Sequence, residues 1–330
     1  MIPEKPLGPI SSSNFEEGFK KPKARPSPLD LYFESCERET SDFFKGSPEK
    51  PTRNLTEEDF LKADDLSQGV TGAKKIRIKG GEFVLKKPLL TEGYRRNFEQ
   101  SLDRGNVCHL RVCESEDPLT DFPRKEVLGF RLAKFFGLKV PQTELLTVGQ
   151  NFCSLQEFYS KEKAESMCAR LNVETFQIDF HSAMKTLLFN LVTENIDGHS
   201  GNILLVKIDE PSEDEDDLTE FNAIPIDFGL LFPRRSSIYP DEMQLMKKQF
   251  HTMFENRTIS LKKDIIPFIP PEEIISSSDI TSIARPHEIS KLEVNLKALR
   301  DLQQQSQDKM LYRDFFQAFV QNVALIRKGL

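Results

Sequence analysis

Tryptophan is absent from this chain, and cysteine is sparse: Cys36, Cys108, Cys113, Cys153 and Cys168 are scattered over 330 residues without a Cys-x-x-Cys pair. That spacing offers no zinc site, and an odd, dispersed set reads as free thiols in a reducing compartment. No apolar run approaches the roughly 18 residues of a membrane span. The opening stretch MIPEKPLGPISSSNFEEGFKKPK has no apolar signal-peptide core. The expectation is a cytoplasmic protein, free or peripheral to a membrane, with signal-independent delivery into another cell left open. A basic balance is missing too. The formal charge is −7, which disfavours bulk nucleic-acid binding, because neutralising phosphates needs a basic surface.

What is present is an ordinary globular composition, 38% hydrophobic and 29% charged, with 26 Phe to fill a core alongside Leu and Ile. The length suits one large domain or two lobes. Residues 1–55 are rich in Pro, Ser, Lys and Glu and read as a disordered or weakly docked arm, with Leu29, Leu31, Tyr32 and Phe33 as its one apolar cluster. Residues 56–158 are strand-rich. A short helix start at Thr56–Glu58 leads into Ser67–Ala73, then Ile76 and Ile78, Gly80–Gly81 and Phe83–Lys87, a glycine-bounded hairpin. Helical periodicity runs from Pro123 to Leu138, and strands are predicted at 143–148 and 152–155. Residues 159–330 are mainly helical, with helices predicted at 175–193 and near 240–255, 287–305 and 308–328, and short strands at 203–206 and 223–226. An acidic stretch, 209–217, separates those strands and reads as a solvated insert. The fold class is α+β in two lobes, a β-rich N-lobe and a mainly helical C-lobe.

The densest motif is Asn195-Ile-Asp197-Gly-His199-Ser-Gly-Asn202, a loop between a helix and a strand, followed by Ile226-Asp227-Phe228-Gly229 at a strand end. Asp197, Asn202 and Asp227 can converge on one point. Phosphoryl transfer from ATP needs such a set: hard oxygens for Mg²⁺ or Mn²⁺ (Asn202, Asp227) and a carboxylate to orient the attacking hydroxyl (Asp197). The five-residue Asp–Asn offset and the Asp-Phe-Gly match the kinase arrangement in order and spacing. Upstream, Gly69, Thr71 and Gly72 lie in a loop whose backbone can approach phosphates. Lys86 and Lys87 are the candidate phosphate clamps. Lys86 is favoured because it alternates with Val84, and Glu126 is its candidate partner. Glu157, Phe158 and Tyr159 occupy the hinge, where backbone groups would meet adenine. Asn195 orders the loop, and His199 either stabilises developing charge, moves a proton or bridges the loop backbone.

NIDGHSGNILL followed by IPIDFGLLFP resembles the phosphatidylinositol 3- and 4-kinase family, most closely the type II and plant ubiquitin-like-domain 4-kinases, and the Asn-x-Asp-x-His-x-x-Asn core also resembles HipA-type kinases. The resemblance spans about residues 65–235. It implies a protein-kinase-like fold and an ATP-dependent kinase with a phosphoinositide acceptor, contact with a membrane surface, and headgroup recognition by Arg234, Arg235, Lys247 and Lys248. Pro88 resembles the Lys-Pro of the type II enzymes and would favour Lys87. Gly198 stands where the lipid kinases carry Arg, and this favours a protein acceptor instead. A pseudokinase or scaffold, and nucleotidyl transfer from ATP, are the other readings.

Overall fold

The computed structural model describes residues 54–66, 73–78, 81–86, 121–148, 151–160, 162–170, 176–195, 197–208, 220–233, 250, 254, 256–263, 271–304 and 308–329. The arm through residue 53, Gly69, Thr71, Gly72, Lys87, the acidic stretch, Arg234, Arg235, Lys247 and Lys248 lie outside the described residues, as does most of 240–255.

The first lobe is built on the predicted hairpin. β3 (Lys74–Ile78) and β4 (Gly81–Lys86) pair antiparallel with Ile76 opposite Phe83, and β4 continues into β6 (Asn151–Glu157) with Lys86 opposite Ser154. β6 pairs in turn with β5 (Thr143–Val148). Two pairs of residues not foreseen as strands complete the sheet: β1 (Asn54–Leu55), parallel to β5, and β2 (Asp64–Asp65), beside β3. The order is β1-β5-β6-β4-β3-β2. A short helix, α1 (Glu57–Leu61), joins β1 to β2. Side chains alternate across a strand, so Leu85 and Leu155 enter a small core with Ile76, Leu146, Val148 and Cys153, while Lys86 and Ser154 face the opposite side.

That opposite side is covered by α2 (Phe122–Phe135). Pro123 opens the helix, and Gly137, at a φ of 63°, ends it. Val127, Leu128, Leu132 and Phe136 join Leu145 of β5 in the main core, which extends into the second lobe through Met184, Leu187, Leu188 and Phe189.

In the second lobe, β7 (Ala164–Ser166), β9 (Ile203–Lys207), β10 (Glu220–Pro225) and β8 (Gln177–Ile178) form a sheet in that order, with α3 (Met167–Arg170) beside it and α4 (Phe180–Val192) packed on β10. The helix predicted from Thr175 starts later. Gln177 and Ile178 pair in parallel with Glu220 and Phe221, and the Asp179 carboxylate caps α4 by accepting from Ser182 N at 2.9 Å. α5 (Pro271–Ser276), α6 (Ser278–Thr281), α7 (Pro286–Gln303) and α8 (Tyr312–Arg327) complete the lobe. The helix predicted from 308 begins at Tyr312, because β12 (Lys309–Leu311) pairs with β11 (Thr258–Ser260). No helix among the described residues is long and apolar enough to cross a membrane.

A buried ionic cluster joins the lobes. Arg124 of α2, fully buried, donates to Asp121, to Glu288 of α7 at 2.8 and 2.6 Å, and to the Ile283 carbonyl at 2.8 Å, while Arg285 lies 3.2 Å from Asp121. Burial alone would raise the Asp121 and Glu288 carboxyls, but the Arg124 guanidinium overrides it and holds both below the ordinary carboxylate range. Folded values below the unfolded ones mean stability that is complete above about pH 5 and is lost as pH falls through the folded values. Stability in urea should therefore fall on acidification below about pH 5, and less steeply in Asp121→Asn. Arg124→Met, which strands the buried Glu288 carboxylate and leaves Asp121 with Arg285 alone of its two guanidinium partners, should cost about 3–5 kcal/mol at pH 7 in the same titration. A wild-type-like midpoint would show that the cluster does not hold the lobes together.

Candidate active site

The junction of the lobes gathers the charged residues that the sequence placed far apart. Lys86 ends β4 pointing at α2, and its Nζ donates to Glu126 Oε1 at 2.6 Å. The same ammonium lies 3.3 Å from Asp227 Oδ1, close enough for an ion pair though not aligned as a hydrogen bond. Burial alone would lower the Lys86 pKa, but the Asp227 and Glu126 carboxylates overturn this and raise it, so the lysine is charged. For Glu126, burial and the nearby Asp227 push the carboxyl up, against Lys86. Its second oxygen accepts from Phe228 N at 3.1 Å. Glu126 therefore ties the lysine strand, α2 and the Asp-Phe-Gly turn together.

That turn needs help from its neighbours. Asp227 has a φ of 62°, a left-handed conformation rare outside glycine that costs of order 1 kcal/mol and persists only where surroundings impose it. Phe228 supplies one constraint: it is fully buried against Phe189, with ring centroids 5.1 Å apart, and against Gly129 of α2. A Cβ at Gly129 would sit 2.4 Å from Phe228 Cβ, so only glycine lets the helix approach this closely.

The loop after α4 brings the other members in. Asn195, fully buried, donates from Nδ2 to Asn190 Oδ1 at 3.0 Å and accepts from Asp197 N at 3.2 Å, a loop-ordering arrangement. Asn202 Nδ2 donates to the Asp197 carbonyl at 2.9 Å and to Asp197 Oδ2 at 3.0 Å. Ile226 N donates to the Asn202 carbonyl at 2.9 Å, which fixes the Asp-Phe-Gly strand beside the loop. Burial, then the charge of Asp227, raise the Asp197 carboxyl to about 7 against the Asn202 bond. His199 caps the 3-10 turn at Ser200–Asn202 by accepting from Gly201 N through Nδ1 at 3.0 Å. Burial lowers its pKa, so the ring is neutral, its proton sits on Nε2, and that nitrogen lies 3.4 Å from Asp197 Oδ1. Gly198 is buried, with the Asn190 amide 3.1 Å from where a Cβ would lie.

At the predicted hinge, the amides of Glu157 and Phe158 are taken by the sheet, donating to Gln142 O at 2.8 Å and Glu82 O at 3.0 Å. Of the three predicted hinge residues, Tyr159 carries the N–H left outside that pattern. The Lys75 ammonium lies 4.3 Å from the centre of the Phe158 ring. Gly69, Thr71, Gly72 and Lys87 have no described position, so the choice of Lys86 rests on its own contacts. Among the described residues no group of three or more His, Cys, Asp or Glu side chains could hold a metal by itself. Asp227 Oδ1, buried without a hydrogen-bond donor, and the Asn202 carboxamide oxygen are the hard oxygens on hand for a cation whose remaining ligands come from phosphate and water.

Sequence reasoning missed Glu194, one residue before the loop. It too has positive φ, 49°, and its buried carboxylate receives Lys291 at 3.1 Å, Asn295 at 3.1 Å and Arg327 at 2.5 Å. No local signal pointed to it, since its partners Lys291, Asn295 and Arg327 lie 97, 101 and 133 residues away. If α2 is seated on Phe228 as described, Gly129→Ala should cost about 1–3 kcal/mol through forced overpacking. Urea unfolding measures this, and an unchanged midpoint would mean that the helix and the turn are not in contact.

No family model and no curated protein sequence matches the chain. Among solved structures, a Helicobacter pylori proinflammatory kinase, CtkA, matches at 13% sequence identity and a TM-score of 0.42, over 85% of this chain and 99% of that one. That degree of likeness carries no functional argument. The chain itself has a two-lobed, kinase-like α+β fold: a strand-rich lobe with its lysine strand and glutamate helix, joined at a hinge to a mainly helical lobe that bears the polar loop and the Asp-Phe-Gly turn.

Proposed function

We propose that the chain is an ATP- and Mg²⁺-dependent phosphotransferase that moves a γ-phosphate onto a hydroxyl acceptor. One observation carries the reading. A buried lysine is shared between Glu126 at 2.6 Å and Asp227 at 3.3 Å, while the loop bearing Asp197 and Asn202 is bonded to the strand that delivers Asp227. A structural ion pair needs one carboxylate, and a second one facing the same ammonium leaves negative charge suited to a cation and its phosphates.

In this reading Asn202 and Asp227 hold Mg²⁺, which when bound screens the phosphate charge. Lys86 meets the phosphates as a point charge, kept in place by Glu126. Asp197 Oδ1 orients the acceptor hydroxyl and takes its proton. Asn202 fixes the other carboxylate oxygen, and the neutral His199 ring flanks it without competing as an acid. Tyr159 N–H faces the base. Positioning and electrostatics supply the rate.

A phosphoinositide is the first acceptor reading, on the NIDGHSGNILL and IPIDFGLLFP runs. A Ser/Thr hydroxyl of a protein is the second. It is favoured by Gly198, which stands where the lipid-kinase pattern has arginine and whose buried setting crowds a Cβ to 3.1 Å from the Asn190 amide. Labelled ATP supplied with phosphoinositide vesicles or with a protein mixture separates them, since the label partitions with lipid or with protein. Asp227→Asn keeps a side chain that tolerates left-handed backbone and should lower transfer by about a hundredfold or more with an unchanged fold. Transfer at the wild-type rate in that variant would end the proposal.

A further inference from the structure

The C-terminal helices carry a polar stripe that the proposed chemistry does not use directly. Glu288, Lys291 and Asn295 of α7 follow one another at three- and four-residue steps, so they share one face of the helix. Glu288 and Asn295 are buried to 1% and 0% exposure, and Lys291 is largely covered. Together they reach three supports of the candidate active site, with Lys291 and Asn295 sharing Glu194. Glu288 pairs with Arg124, two residues before Glu126 on α2. Lys291 pairs with Glu194 and also donates to the Pro233 carbonyl, just beyond the Asp-Phe-Gly turn. Asn295 donates to the Val192 carbonyl at 2.9 Å and to Glu194 at 3.1 Å, at the entrance to the loop of Asp197.

The segments that the stripe grips are the strained ones. Glu194 and Phe232 have φ of 49° and 47°, and Phe232 N donates to the Thr193 carbonyl at 2.9 Å, so the two unfavourable turns are bonded to each other. Lys125 of α2 adds a bond to the Leu231 carbonyl at 2.7 Å. A buried ionic stripe gains little stability over an apolar one, because desolvation offsets the attraction. Its distinctive effect is directional, since bonds to defined atoms hold strained backbone in one arrangement.

We propose that α7 is an internal strut and that Glu288, Lys291 and Asn295 are positioning residues: they align the Glu126 helix, the Asp197 loop and the Asp-Phe-Gly segment with one another. The idea rests on the phosphotransferase reading for its kinetic consequences, though not for its structural ones. Glu288 acts through α2, so it governs the phosphate clamp. Lys291 acts through Glu194, so it governs the loop that orients the acceptor.

The test compares the full chain with Glu288→Gln, Lys291→Met and Lys291→Arg, using steady-state kinetics per natively folded molecule and backbone hydrogen exchange. Lys291→Met should lower kcat about tenfold or more with little change in KM for ATP, because a small misplacement of the orienting carboxylate is costly. Lys291→Arg should recover most of it. Glu288→Gln should mainly raise KM for ATP. Exchange should quicken over residues 193–202 in Lys291→Met and over 122–135 in Glu288→Gln, with 143–157 unchanged. A merely structural role would lower the folded fraction and leave both constants of the folded molecules alone. That result, or exchange that quickens uniformly or not at all, overturns the strut. If Glu288→Gln does not fold, the Lys291 pair decides alone. A wild type that transfers no phosphate, with the selective exchange pattern intact, would sink the phosphotransferase reading and leave the strut standing.

Discussion

The ammonium of Lys86, buried where the lobes meet, sets the terms for the rest of the structure. An isolated charge there would be prohibitively expensive, so it must be paired. Its partners come from opposite directions: Glu126 from a helix of the first lobe, and Asp227 from a turn of the second. Neither partner can reach it unless its own element is seated correctly. Hence the bare Gly129 surface against Phe228, the Glu126 oxygen left over for Phe228 N, and the left-handed backbone at Asp227. Each of these is unfavourable or restrictive alone, and together they hold both carboxylates within reach of the buried ammonium.

The second layer of support follows the same logic at greater distance. Three non-glycine residues with positive φ are found among the described residues, Glu194, Asp227 and Phe232, and all three border the polar loop or the Asp-Phe-Gly turn. Strain of this kind collects at sites whose geometry matters, because elsewhere it would relax. What prevents relaxation here is ionic and directional, running from α7 and α8 to Glu194, Pro233 and Arg124. The apolar core alone would not do this, since hydrophobic packing between Phe189, Phe228 and the helices has no preference for a particular carbonyl or carboxylate.

This division explains what could be read in the amino-acid order. Lys86 was legible from strand alternation with Val84, and Glu126 from its place early in a periodic helix. Asp197, Asn202 and Asp227 were legible because the loop and the turn are short local patterns between recognisable elements. The structure brings these five together. Glu194, Arg124 and the α7 stripe were not legible as a unit. Hydrophobic periodicity detects the face that a helix buries in oil, so it marked a helix near 287–305 and singled out none of Glu288, Lys291 and Asn295. Their partners at the candidate site and on α2 lie between 58 and 164 residues away, where no local rule reaches. The late start of α4 was missed for a related reason: the parallel pairing of Gln177 and Ile178 with β10 spans more than forty residues and overrides the apolar period that ran back to Phe176.

Charge counting links the two layers to the chemistry. Lys86 faces Glu126 and Asp227, and Asp197 stands on the adjoining loop, so three carboxylates gather around one ammonium. Left to themselves they would drive the loop and the Asp-Phe-Gly turn apart, because like charges in a poorly solvated site repel strongly. Asn202 moderates this by donating to Asp197, and Glu126 by drawing a backbone N–H from Phe228. Neither adds positive charge. The remaining repulsion is contained mechanically, by the bond from Ile226 N to Asn202 and by the grip of Lys291 and Asn295 on Glu194. The surplus of negative charge suits a cation, which the proposed Mg²⁺-nucleotide would supply. On the proposed reading, the scaffold that resists the repulsion and the groups that exploit it are different residues, and α7 would bear on transfer without touching anything that reacts.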